Sequence, residues 1–299
     1  MAGAHNPERR SAYKRPKLTL VSKTEVPSGE QGRDLPIGAR HHRAYVGAAE
    51  GYDISGALQF NILTFLGLRQ DHYLLDIGCG SLRGGRLSMS YLEPERYYGI
   101  EPEEWLIEEG IANEVGQDLI DLKRPAFSND STFTLTTFGR QFDFILAQSI
   151  FSHASRSQIE RCLSQAKQVM APNALFAATF VQGEQDYEGD GWVYPGCVSY
   201  SLERMTALAE EQGLACQTIE WPHPAQQTWV VYSHSENACR IPEMGDAMKL
   251  LALENELKYA KARLAKIESH PYVRLGMKVV GNPLYNRLRE TTNRLRGAA

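Results

Sequence analysis

Residues suited to chemistry sit at the ends of short apolar runs in the middle of this 299-residue chain. Asp76 precedes the loop Gly78-Cys79-Gly80, and Glu101 closes the next apolar run. Glycines in such a loop leave the backbone open to close approach by a ligand. A single carboxylate where Glu101 stands can accept hydrogen bonds from both hydroxyls of a ribose. Gln148 and Ser149 end a further apolar run, His153 follows a few residues later, and His223 is held within Trp221-Pro222-His223-Pro224. A histidine, with an ordinary pKa of about 6.5, suits proton abstraction at neutral pH. Two readings stand for each histidine. His153 is a base or a packed residue capping a helix that starts near Ser155; His223 is a substrate contact or a turn residue fixed by its prolines. Metal chemistry is not indicated, because Cys79, Cys162, Cys197, Cys216 and Cys239 form no C-x-x-C pair and no short Cys/His cluster.

These residues need a frame to hold them. Ile54, Leu58, Ile62 and Leu66 recur every four residues and predict a helix closing near Gly67. Residues 73–77 read as a strand, followed by the glycine loop and a helix from about Gly84, which makes a βα unit. Residues 97–101 read as a second strand, 103–116 as a helix, 132–136 as a weaker third strand, and 142–147 as a fourth. The near-continuous apolar run of the fourth suits a strand buried on both faces. Ser155-Arg156-Ser157-Gln158 is a capping box, after which Ile159, Cys162, Leu163, Ala166, Val169 and Met170 share one helical face up to Pro172. Residues 174–181, 214–219 and 228–232 complete the strands, with a helix over 202–212 stopped by Gly213. Alternating strands and helices imply a Rossmann-like α/β fold with a doubly wound, mostly parallel sheet. Ligands then bind beyond the carboxyl ends of the strands, where the loops after Ile77, Glu101, Ala147 and Val181 share one rim.

Two cofactor classes use a glycine loop with a strand-end acid. The dinucleotide fingerprint G-x-G-x-x-G fails here, since Arg83 takes the sixth position and Gly84 comes one residue late. The run Leu74-Leu75-Asp76-Ile77-Gly78-Cys79-Gly80 instead resembles the first motif of class I methyltransferases that use S-adenosylmethionine (SAM). An acid before the loop suits the cationic amino group of SAM better than a pyrophosphate. Tyr98-Gly99-Ile100-Glu101 is similar to the family's ribose-binding second motif, and residues 142–149, ending in Gln148-Ser149, to its fourth motif at the reaction centre. The resemblance spans residues 45–232 and implies a seven-stranded sheet whose last strand is antiparallel, with SAM held by Asp76, Gly78, Cys79, Gly80, Arg83, Glu101, Gln148 and Ser149. Relatives often carry an acid at the end of the third strand for the adenine. Residues 135–138 offer none, which leaves backbone groups and Phe138 for that task. Arg83 pairs with the methionine carboxylate or faces solvent. The polar loop 182–199 carries Tyr187, Trp192, Tyr194 and Pro195, as a platform for a sugar or planar substrate or as ordinary loop packing. His153 is the expected base and His223 an acceptor contact.

Charge is segregated along the chain. Residues 1–43 carry nine Lys/Arg against four Asp/Glu, residues 244–299 eleven against five, and the acidic remainder twelve against twenty-seven. An acidic core argues against nucleic acid as a partner, while the basic ends suit solvated tails or an anionic membrane face. Residues 1–43, proline-rich and without apolar period, are expected to be disordered; 44–240 form the methyltransferase-like domain, 241–269 a helix, and 270–299 a basic tail. Leu250, Leu253, Leu257, Ala260, Leu264 and Ile267 alternate steps of three and four, as a homodimeric coiled coil or a helix packed on its own domain would. Residues 269–272 and 284–288 resemble tails of bacterial enzymes that build surface polysaccharides, which implies a sugar or glycan acceptor. No apolar run reaches the roughly 18 residues of a membrane span, and no signal sequence is apparent, so a cytoplasmic protein is expected. A nicotinamide-dependent oxidoreductase and a noncatalytic scaffold with the same fold are the rival functions.

Overall fold

A computed structural model describes residues 31–235 together with 257, 259, 261 and 262. Outside them lie residues 1–30, nearly all of the 250–267 seam and the 270–299 tail. Of the seam, Leu257 alone is described; it is helical and exposed.

Eight strands run in chain order: β1 (Leu74–Ile77), β2 (Tyr97–Ile100), β3 (Ala126–Ser128), β4 (Phe142–Ala147), β5 (Met170–Gln182), β6 (Ser199–Tyr200), β7 (Leu214–Ile219) and β8 (Thr228–His234). Seven of them make a sheet of order β3-β2-β1-β4-β5-β8-β7, and the two-residue β6 pairs with the end of β5. The first five are mutually parallel, and β8 runs antiparallel to β5 and β7, the expected seven-stranded topology. Helices α1 (Tyr52–Phe65), α2 (Gly85–Tyr91), α3 (Glu104–Gly110), α4 (Gln117–Lys123), α5 (Arg156–Val169) and α6 (Leu202–Glu211) pack on its two faces.

Strand alternation divides the core in two. Ile145 and Ala147 of β4 face α5 and α6 through Ile159, Cys162, Leu163 and Leu208, whereas Phe144 and Leu146 face α1 and α2 through Ile62, Leu63 and Met89. The β4–β5 register shifts between Phe142 and Phe144, so Met170 and Leu175 are successive partners and Pro172 falls within the bulge. A proline is tolerated at such a break in the ladder. β5 therefore begins at Met170, before Pro172, rather than at Ala174.

Four other expectations are corrected. The third strand is not residues 132–136. Asp130 takes the backbone N–H groups of Thr132 at 2.9 Å and Thr134 at 2.7 Å, which removes two donors a ladder would use, and residues Leu135–Phe138 form a 3-10 turn. The third strand is Ala126–Ser128, preceded by the unforeseen α4. The helix expected over 103–116 closes at Gly110 and continues as a single π-helical turn, Ile111–Val115, ended by Gly116 at φ 85°. Ile54 is 43% exposed, because α1 turns Tyr52, Ser55 and Gln59 inward, with Gly56 directly against the Arg83 carbonyl. Residues 31–43 are ordered rather than disordered. Ser81 Oγ donates to His42 O at 2.6 Å, and Arg43 Nε reaches Glu114 at 2.6 Å.

The capping box at Ser155 holds as read: Gln158 Oε1 accepts from Ser155 N at 3.0 Å while the Ser155 side chain accepts from the Gln158 backbone. Ser155→Ala should lower stability by about 1 kcal/mol. The measurement is a lower urea midpoint with an unchanged slope.

Candidate functional site

At the carboxyl ends of β1, β2 and β4 the structure has a cavity of about 480 Å³. Gly78, Cys79 and Gly80 form one wall, Glu101 a second, and Gln148, Ser149 and His153 a third. The chain bends sharply after β1. Gly78 N and Cys79 N both donate to Ile100 O, at 2.8 and 3.1 Å, and the turn needs φ of +68° at Gly78 and +53° at Gly80. Those values favour glycine, which carries no Cβ.

Glu101 is held from two sides. Gly80 N donates to Oε2 at 2.9 Å and Glu103 N donates to Oε1 at 3.0 Å, so each oxygen keeps a lone pair for a ligand. Burial raises its pKa, the two backbone N–H bonds oppose the rise, and the result is about 7. Asp76 is buried beneath the loop, accepts from Tyr97 Oη at 2.7 Å, and is not part of the cavity wall. Burial lifts it to about 6 against the Tyr97 hydrogen bond. The expected direct contact of Asp76 with a ligand is therefore not seen in the geometry; its carboxylate is turned to Tyr97.

Arg83 does not face solvent. Its Nη1 donates to Val46 O at 2.9 Å, its Nε is buried without a partner, and no carboxylate pairs with it among the described residues. Burial lowers its pKa. Gln59 Oε1 and Tyr194 Oη are also buried and unpartnered, and both residues line the same cavity. All three atoms are screened from water within the wall.

The two histidines differ in what their rings touch. His153 lines the cavity, with Nδ1 2.7 Å from Gly196 O and 3.0 Å from Val193 O. Carbonyls accept only, so Nδ1 carries the proton and the Nε2 lone pair is free of protein partners among the described residues. Burial lowers its pKa, partly opposed by these bonds, which keeps the ring neutral. It does not cap α5, a task Ser155 performs. His223 Nδ1 instead accepts from Ala225 N at 3.2 Å and Gln227 N at 3.4 Å, which leaves the proton on Nε2, 3.0 Å from the Gln148 amide. The pattern assigns the Gln148 oxygen to that contact and turns its NH2 the other way. Both His223 nitrogens are thus engaged, the residue is outside the cavity wall, and burial followed by the Arg83 charge drives its pKa down to about 3. The expected acceptor contact at His223 gives way to a bracing role. Ser149, at φ 58°, is held by its N–H to Thr179 Oγ1 at 2.7 Å and its Oγ to Gln227 Oε1 at 3.2 Å.

Several wall residues were not foreseen. Tyr45 and Val46, at the start of the domain, had no signal that would mark them as wall residues. Gln59 had a signal, as a polar residue beside Leu58 on the inward face of α1. Asp130 lines the cavity two residues after β3, so an acid does follow the third strand once that strand is correctly located. Its carboxylate also serves the Thr132 and Thr134 N–H groups, whose bonds outweigh burial and lower its pKa. Trp192 and Tyr194, from the long polar loop, complete the wall. Among the described residues no His/Cys/Asp/Glu cluster could hold a metal, and no helix is long and apolar enough to cross a membrane.

No family model matches the chain, and no curated protein matches it in sequence. Solved structures are similar to it at low identity. The magnesium protoporphyrin IX methyltransferase ChlM from Synechocystis PCC 6803 with bound SAM is 13% identical, over 69% of this chain and 90% of that one, with a TM-score of 0.49. The CcbJ methyltransferase from Streptomyces caelestis is 14% identical over 69% of this chain and 97% of its own, with a TM-score of 0.47. The glycopeptide N-methyltransferase MtfA with S-adenosylhomocysteine is 11% identical over 61% and 90%, with a TM-score of 0.45. Independently of these similarities, the sheet order β3-β2-β1-β4-β5-β8-β7 with an antiparallel β8 is a Rossmann-like arrangement.

Proposed function

We propose that the chain is a SAM-dependent methyltransferase acting on a hydroxyl group of a small molecule or glycan. The observation that carries this reading is a pair of groups in one cavity: Glu101, with a free lone pair on each oxygen, and Arg83, with no direct carboxylate partner among the described residues. Glu101 fits a ribose diol, and Arg83 fits the carboxylate of an amino-acid chain. A purely structural scaffold would have no use for these unmet groups. A nicotinamide dinucleotide would use Glu101 as well, but its pyrophosphate would lie over a loop with Asp76 beneath it.

When bound, SAM supplies a methyl group activated by the sulfonium, whose sulfur departs with the bonding electrons. The protein's part is positioning, together with one proton transfer. His153 Nε2 takes the acceptor hydroxyl proton as the oxygen forms its bond to carbon, and the Gly196 and Val193 carbonyls stabilise the imidazolium through Nδ1–H. Trp192, exposed at 47% and with its ring centroid 5.4 Å from that of His153, offers a face on which a sugar or planar acceptor can stack.

Calorimetric titration separates the cofactors. SAM should bind and NAD should not, and Glu101→Gln should weaken SAM by tenfold or more, as loss of a charge-assisted bond of about 1.5–3 kcal/mol requires. Unchanged SAM affinity in that variant would remove the ribose assignment.

The same titration has a predictable pH dependence. Glu101, raised to about 7, is protonated in the free protein below that value and must lose its proton to accept from both hydroxyls. Affinity should therefore rise with pH by up to about tenfold per unit below pH 7 and level off above it. In Glu101→Gln this contribution to the slope should vanish.

For the acceptor half, isotope-labelled methyl donor and mass spectrometry identify the product. His153→Ala should then lower turnover by roughly a hundredfold with SAM affinity nearly unchanged. Turnover within a fewfold of wild type would assign the rate to positioning alone.

A further inference from the structure

The segment before α1 lies across the glycine loop. Tyr45 and Val46 belong to the cavity wall, Val46 O accepts from Arg83, and His42 O accepts from the fully buried Ser81. A Cβ on Gly80 would stand 2.8 Å from Val46 Cγ1, so the segment rests directly on the loop. Its far edge meets the loop after β5: the Tyr45 and Tyr194 ring centroids are 5.2 Å apart, and Gly38 packs against Pro195. Residues 38–46 thus roof the cavity.

The roof is fastened at one buried charge. Glu114, with a side chain only 3% exposed, accepts from His42 Nε2 at 2.9 Å, Arg43 Nε at 2.6 Å and Arg86 Nη1 at 2.8 Å. Two of these donors come from the roof and the third from α2, the helix that follows the glycine loop. The Arg43 and Arg86 guanidiniums also lie 4.8 and 5.3 Å from the ring centroid of Tyr52, whose hydroxyl donates to Ser81 O at 2.9 Å. Asp53 is the other carboxylate near both arginines, but it is 65% exposed and is a weak substitute. Glu114 itself stands in the π-helical turn that interrupts the helical run after α3.

We infer that Glu114 is a positioning residue for the cofactor cavity, latching residues 38–46 onto the glycine loop so that Tyr45 and Val46 complete its wall. This rests on the reading that the cavity takes SAM, although the latch itself can be tested without any ligand. Within the roof, Gly38 N donates to Ala44 O at 3.0 Å and Tyr45 N to His41 O at 2.8 Å, so the exchange of these amides reports closure.

The experiment combines hydrogen–deuterium exchange on the ligand-free full chain with calorimetric SAM titration, for wild type, Glu114→Gln and Arg43→Gln. In Glu114→Gln the amides of residues 38–46 should exchange at least tenfold faster while those of β1, β4 and β5 keep their protection, and the SAM dissociation constant should rise at least tenfold. Arg43→Gln keeps the Glu114 contacts with His42 and Arg86, should give a smaller change in the same direction, and decides the matter if Glu114→Gln fails to fold. Unchanged exchange at 38–46 in the folded variants overturns the latch. Faster exchange with SAM affinity within twofold of wild type overturns its link to the cavity. If wild type binds no SAM, the cofactor reading and with it the cavity role fall, and exchange alone decides whether Glu114 fastens the segment.

Discussion

The rim depends on how the end of β1 folds onto the end of β2. Parallel pairing aligns Ile77 with Ile100, which leaves the next residues of both strands side by side. The glycine turn then points three N–H groups at β2 and Glu101, and one of them fixes the carboxylate at the cavity. The arrangement is costly in the free protein. Glu101 and Asp76 are acids kept out of water, and the Arg83 guanidinium nearby makes no direct ion pair among the described residues. Partly satisfied buried polar groups weaken a fold, and their concentration around one cavity is what a site arranged for a ligand looks like.

The histidines show how little a residue type says without its hydrogen bonds. His153 and His223 both lie after strands that end at the rim. Carbonyls surround one Nδ1 and N–H groups surround the other, so the two rings adopt opposite tautomers. The first lines the cavity and leaves Nε2 without a protein partner among the described residues. The second spends both nitrogens on the turn before β8 and on Gln148, and through Gln148 and Ser149 it supports the end of β4.

Much of the frame was legible in the sequence because doubly buried strands must be apolar. Residues 142–147 and 214–219 were read to the residue, and the capping box marked the start of α5 without ambiguity. β3 was not legible: it has three half-buried residues at the sheet edge, and its apolar signal is small. The threonines of 132–136 had the right propensity, but Asp130 consumed their N–H groups, a local competition that propensity does not register. Strand-end logic and the motif resemblance put the Gly78–Gly80 loop, Glu101 and the end of β4 on one rim, and these residues line one cavity. Residues 38–46 were missed because Arg40, His41, His42 and Arg43 look like a solvated run. Two of them find Glu114 only through the tertiary fold, seventy or so positions away.

The two-residue β6 has a consequence for how such a site can diversify. It pins the loop after β5 at its far end, where Gly183 N and Tyr187 N bond to residues 200 and 199, while Val193 N and Val198 N bond to residues 153 and 152. Residues 188–192 lie between these anchors, at a tip with Gly191 at φ 78°. The entropy of closing a flexible loop grows only as the logarithm of its length, about 0.6 kcal/mol per doubling. Insertions at that tip can therefore reshape the mouth beside Trp192 while the glycine-loop side of the cavity, built on the other strands, keeps its geometry. The two sides of the cavity can vary separately.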